Sequence, residues 1–94
     1  MEIEFDPDKD RSNRDKHGIS LAEAEKMDLA AAVVVPDERY RYRERRQRAF
    51  GLIDGRLYVL VFTMRGEVLR AISLRKANRR EVSRYGQSAQ IWRS

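Results

Sequence analysis

Residues 44–63 read ERRQRAFGLIDGRLYVLVFT, and the fold turns on how they are divided. Asp54-Gly55 is a hairpin signal, because a two-residue turn of the type I′ kind needs positive φ at both positions. The run before it, Glu44 to Ile53, reads as a strand. The run after it, 57–63, is apolar on both faces. A half-exposed strand would alternate, so this one belongs at the centre of a sheet, with helices over at least one face. Arg65-Gly66 then turns the chain into another strand over 67–74. Asn78 with Glu81 three residues on is a capping box, which predicts a helix from 78 to about Tyr85.

The same reading extends toward the N-terminus. Ala30 to Val35 reads as a strand ended by Pro36, and 36–43 as a loop. Ser20-Leu-Ala-Glu23 is a second capping box, opening a short helix to about Asp28 with Leu21 and Ala24 inward. Asp6-Pro7 starts a helix that runs to His17 and is closed by Gly18. Glu2 to Phe5 alternates as a short strand. The expected order is β-α-α-β-β-β-β-α. That is an α+β fold: one small domain over 1–86, with helices stacked on one face of a twisted antiparallel sheet. Residues 87–94 read as a loose tail carrying Trp92. The helix over 7–17 is unusual, with no apolar residue from Asp8 to Lys16. It has no amphipathic face to hold it, so its ends must pin it or its polar face must bind something.

With 94 residues and no cysteine, the chain builds one small core without disulfides or thiolate metal sites. The acidic start and the lack of a long apolar run lead us to expect a soluble, cytoplasmic protein away from membranes. The net charge of +5 is unevenly spread. Residues 1–38 hold 11 acidic and 5 basic side chains, and 39–94 hold 4 and 15. Sixteen of the 20 basic residues are Arg, whose planar fork matches phosphate oxygens. The balance points to a polyanionic partner, most often nucleic acid; an acidic protein would also fit.

Two places concentrate the candidate chemistry. Between 39 and 48 six Arg residues interleave with Tyr40 and Tyr42, a pattern suited to phosphates and stacked bases. Arg75 and Lys76 mark a strand-to-helix junction, with Arg79 and Arg80 just beyond. Arg70, among apolar neighbours, wants a partner, for which Glu44 is a candidate. His17 is the only histidine, and one histidine builds no zinc site unaided. No cofactor motif is present. A strand-end Arg75 should contribute under about 1 kcal/mol to stability. A non-catalytic RNA- or ribosome-binding module, or a domain that meets only an acidic protein, fits the same composition.

The chain resembles the BrnT family, the ribonuclease half of bacterial type II toxin–antitoxin pairs. Four blocks carry the likeness in order. They are Phe5-Asp6-x-x-Lys9-x-x-x-Asn13-x-x-Lys16-His17-Gly18-Ile19, Asp37-x-Arg39-x-x-Tyr42-x-Glu44-x-Arg46 followed by Gly51, Thr63-x-Arg65-Gly66, and Arg70-x-Ile72-Ser73-x-Arg75-x-Ala77-x-x-x-Glu81-x-x-x-Tyr85. It departs at Leu21, where an aromatic is usual, at Arg43, where Gly is usual, and at Asn78, which still caps. The resemblance implies a RelE-like fold, RNA cleavage that inhibits translation and growth, and neutralisation by a BrnA-type antitoxin with a ribbon-helix-helix part. DNA would be reached only through that antitoxin. The RNA cleavage the resemblance implies, run without metal, would use the substrate's 2′-hydroxyl and need a base (Glu44 or His17), an acid (His17, Lys76 or Tyr85) and cations for the phosphorane, Arg75 and Arg46 first. The blocks add Lys16 and Arg65 as RNA-contact candidates and contain Arg39, Tyr42 and Tyr85, while Arg79 and Arg80 join them from the charged strand-to-helix junction.

Overall fold

The computed structural model describes residues 1–39, 41 and 43–87; Tyr40, Tyr42 and the tail with Trp92 lie outside them. Five strands form one sheet: β1 (Ile3–Glu4), β2 (Val33–Pro36), β3 (Gln47–Ile53), β4 (Arg56–Arg65) and β5 (Val68–Lys76), in the spatial order β1-β5-β4-β3-β2. β4 is central, as its two-sided apolar run requires. Asp54 and Gly55 take φ of 50° and 80°, so the hairpin turn is the one the sequence announces. The sheet is mixed rather than purely antiparallel. β1 pairs parallel with β5, Ile3 opposite Leu69 and Glu4 opposite Arg70. A first strand that is separated from its neighbour by the whole chain is not bound to reverse direction.

The strand limits differ from expectation where charge outweighs alternation. β3 starts at Gln47 and not at Glu44, since Arg43, Glu44 and Arg45 are all exposed and offer no face to bury. β2 starts at Val33 and includes Pro36, and β5 runs on to Lys76. A bulge interrupts β5: Val61 pairs with Ser73 and Phe62 with Ala71, so Ile72 has no partner on β4. The extra residue changes the parity of the strand. Leu69, Ala71 and Leu74 all enter the same core, which strict alternation forbids. Arg70 pairs with Glu4 of β1 at 3.1 Å, not with Glu44.

Helices cover both faces of the sheet, not one. The first face carries Ala49, Ile53, Leu60, Phe62, Leu69, Ala71 and Leu74, covered by Leu21, Ala24 and Met27. Those last residues come from a six-residue 3₁₀ helix, Leu21–Lys26, and its C-cap, where an α-helix to Asp28 was expected. Ser20 caps it, but its Oγ accepts from Ala22 N–H, while Glu23 N–H goes to the Ser20 carbonyl. Six residues are too few for an α-helix to gain much over the tighter turn. The other face carries Phe50, Leu52, Leu57 and Val59. Tyr85 stacks on Phe50 there, ring centroids 3.9 Å apart. It comes from the C-terminal helix, one α-turn (α2, Arg79–Glu81) that continues as a π-turn over Val82–Gly86. The capping box of Asn78 with Glu81 is present.

The first helix, α1 (Pro7–His17), has the expected limits, with Asp6 capping its start and Gly18 N–H bonding Arg14 O at its end. Buried polar residues hold it. Asp10 accepts from Leu21 N–H at 2.7 Å and from Ser20 Oγ at 2.9 Å. Asn13 Nδ2 donates to the carbonyls of Leu74 and Ile19, and Leu74 N–H donates to Asn13 Oδ1. One amide thus pairs both backbone groups of Leu74, on the edge of β5 that the two-residue β1 leaves uncovered.

Candidate active site

Because Asn13 fixes α1 along the edge of β5, the residues beside it on the helix face the sheet. Lys9, Ser12, Lys16 and His17 form one wall of a cleft of about 340 Å³. Arg39 and Arg46 form the other wall, and Val61, Ile72 and Ser73 the floor. The β5 bulge makes this floor, for it turns Ile72 and Ser73 to the cleft side together.

A row of alternating charges runs from the cleft to the C-terminal helix. The Asp37 carboxylate is wholly buried and accepts from Arg39 Nε at 2.7 Å and Nη2 at 3.0 Å. Those bonds hold its pKa below the ordinary carboxylate range. Arg48 Nε lies 4.0 Å from Asp37 and has no hydrogen-bond acceptor, and the Arg48 guanidinium sits 5.6 Å from the Phe50 ring centre. Glu81 takes Arg75 in a two-pronged pair at 2.7 and 2.8 Å while also accepting from Asn78 N–H. The Arg75 bonds are the main reason its pKa is lowered, and the Arg48 charge adds to it. Glu81 thus joins the capping box of α2 to the end of β5.

His17 closes the helix wall. Partial burial, the Arg75 charge and the Lys16 charge, in that order, lower its pKa from the usual imidazole value. A neutral imidazole among cations can accept a proton near pH 7, and the cations can hold a phosphate beside it.

The sequence candidates divide accordingly. Lys16, His17, Arg39 and Arg46 meet in the cleft, with Arg75 in electrostatic reach of His17. Glu44 does not line this cleft. It is exposed, accepts from Arg46 Nε at 3.1 Å, and lines a separate hollow with Arg41, Arg45 and Thr63. The Arg46 bond chiefly, and also the Arg65 charge, keep its pKa low. Arg65 is exposed at the end of β4; Lys76, Arg79 and Arg80 are exposed around the start of α2. The Tyr85 ring packs on Phe50 in the second core, and Tyr42 lies outside the described residues. Sequence reasoning did not single out Lys9 and Ser12 as site residues, nor Asp37, Arg48 and Glu81 as the charges behind it. Lys9, Ser12 and Lys16 were legible as one stripe, at i, i+3 and i+7 of a helix with no apolar face.

A cation-walled cleft with one imidazole, on a small mixed sheet, has the charge that suits a polyanion. The chain belongs to the BrnT family of ribonuclease toxins of type II toxin–antitoxin systems, whose family model matches residues 5–81. The Brucella abortus ribonuclease toxin BrnT, known from a 1.1 Å crystal structure, is similar in sequence and fold. It shares 30% identity and a TM-score of 0.67, covering 84% of this chain and 99% of that one. No curated protein matches. Among the described residues no helix is long and apolar enough to cross a membrane.

Proposed function

We propose that the chain is a metal-independent endoribonuclease that inhibits translation and growth until a BrnA-type antitoxin with a ribbon-helix-helix part covers its cleft. The observation that carries this is the position of His17, an imidazole with a lowered pKa on the wall of a cleft that also presents Lys16, Arg39 and Arg46. The substrate's 2′-hydroxyl attacks the adjacent phosphorus, and His17 takes its proton. The bond to the 5′-oxygen breaks, leaving a 2′,3′-cyclic phosphate, and that oxygen takes a proton from solvent in the open cleft. Arg46, Lys16 and Arg75 offset the charge that builds on the phosphorane. Glu44 is the weaker base, because its carboxylate is tied to Arg46 outside the cleft.

Cleavage of RNA in EDTA tests the reading, with product ends analysed for cyclic phosphate and with DNA of the same sequence left intact. His17→Gln should cut the rate by about 10²–10⁴-fold, the usual yield of a general base. Arg75→Ala should cost about 10²–10³-fold, and Arg75→Lys should recover part of it. Loss of all cleavage in EDTA, restored by added metal, would overturn the mechanism. Tight RNA binding without cleavage would favour a binding module.

A further inference from the structure

The cleft holds two kinds of cation. Arg39 is paired with Asp37 and Arg46 with Glu44. Lys9 and Lys16 form no pair with a carboxylate among the described residues, and both are exposed on the cleft wall. Ser12 lies one turn from each. Below them the floor changes character. Val61 is only 7% exposed yet belongs to neither core cluster, and Ile72 beside it is the bulged, unpaired residue of β5. An apolar floor under cationic walls, in a volume of about 340 Å³, matches a single nucleotide: a flat base with a phosphate on its flank.

We propose that this cleft seats one unpaired nucleotide, its base against Val61 and Ile72 and its phosphate along Lys9, Ser12 and Lys16. The proposal rests on the ribonuclease reading and deepens it, naming single-stranded RNA as the form that fits. A paired base cannot reach the floor, because its faces are covered by stacked neighbours and its edge by its partner. The polar stripe of α1 is then the phosphate-binding face of a helix that Asn13 ties to β5 and Asp10 ties to the start of the 3₁₀ helix. The bulge is what brings an apolar side chain to the base and a hydroxyl, Ser73, beside it.

The experiment measures binding rather than cleavage, so that the two readings can fail separately. The probe is a short, unstructured 2′-O-methyl RNA, which lacks the nucleophile, free or annealed to its complement. The full chain should bind the single strand at least about tenfold more tightly than the duplex, since a paired base must first be splayed out of its stack. Lys9→Ala should flatten the log–log salt dependence of single-strand binding by about 0.7, the value of one phosphate contact. Ile72→Ala should narrow the preference for single strands while leaving the salt dependence unchanged. Arg11→Ala, which removes an arginine paired with Asp8 outside the cleft lining, should change neither. Equal affinity for both forms, with the Lys9→Ala salt dependence unchanged, would overturn this inference even if unmodified RNA is still cleaved. No binding of any RNA by the folded chain at low salt would overturn both readings.

Discussion

His17 sits in the last turn of α1, where the helix dipole favours a protonated imidazole. Partial burial and the charges of Arg75 and Lys16 act in the opposite direction and lower the imidazole pKa. If neutral His17 is the base, activity falls as pH drops through its pKa, so the acidic limb should lie below the usual imidazole range. Lys16→Gln removes one of the depressing cations, and the limb should then move to higher pH; kcat/KM profiles of the two proteins measure it. A limb that stays in place would separate His17 from the rate. Arg75 departs from its sequence reading in a different way. A strand-end arginine was expected to matter little to stability, but its two-pronged pair with Glu81 is largely shielded from solvent. Arg75→Ala leaves the Glu81 carboxylate with only the Asn78 N–H bond and the Arg48 charge and should cost about 1–3 kcal/mol, read from urea denaturation. The lowered pKa values of Glu81 and Asp37 carry a pH dependence with a definite sign. Their contribution to stability is complete above the ordinary carboxylate range. It is lost as pH falls through their depressed values, so unfolding should become easier below about pH 4.

The element that most separates expectation from structure is α1. Its limits were legible, since Asp6, Pro7 and Gly18 are local signals, but its attachment was not. Nothing in the string Asp-Arg-Ser-Asn says that Asn13 will pair with Leu74, 61 residues away. Asn13→Ala leaves both backbone groups of Leu74 without partners at a site 4% exposed, and should cost about 2–4 kcal/mol of stability. Asn13→Asp should do no better, because its carboxylate would face the Leu74 and Ile19 carbonyls where the amide now donates. Equal urea midpoints for wild type and Asn13→Ala would show that α1 is held by other means. Strands were readable where burial is two-sided, as in β4, and less so where charge or a bulge intervenes. The parity change at Ile72 leaves a trace only in hindsight, in the spacing of Leu69, Ala71 and Leu74. Gly51 belongs to the family resemblance, but its packing role was not legible. A Cβ there would meet Met27 Cγ at 2.7 Å and Ala32 Cβ at 3.1 Å, so the 3₁₀ helix approaches β3 as closely as it does because this residue is glycine. Gly51→Ala must displace the Met27 side chain and should lower stability by about 1–3 kcal/mol.

At the scale of the molecule, the charge split read from the sequence survives folding. The arginines of the second half crowd one wall of the cleft and the segments beside it, and Lys9 and Lys16 of the first half supply the other wall, while many acidic side chains of the first half are spent on caps and pins. Asp6 caps α1, Asp10 holds Leu21, and Asp37 neutralises Arg39 and Arg48. The fold class was legible because it depends on short-range signals; the site was legible only as a list of cations, because which of them are already neutralised is a tertiary fact. That fact governs how an antitoxin can be recognised. Arg48 has a buried Nε against Asp37, so reversing its charge would damage the fold before it touched a partner. Arg43 and Arg45 are exposed beside the cleft-lining Arg46 and pair with no carboxylate among the described residues. If the antitoxin covers this basic surface, the two should steer its approach without shaping the core. Arg43→Glu with Arg45→Glu should therefore slow association at low ionic strength and flatten its dependence on salt, with the melting temperature unchanged. Stopped-flow mixing across a salt series measures this directly. An association rate indifferent both to the double reversal and to salt would place the antitoxin on another face of the sheet.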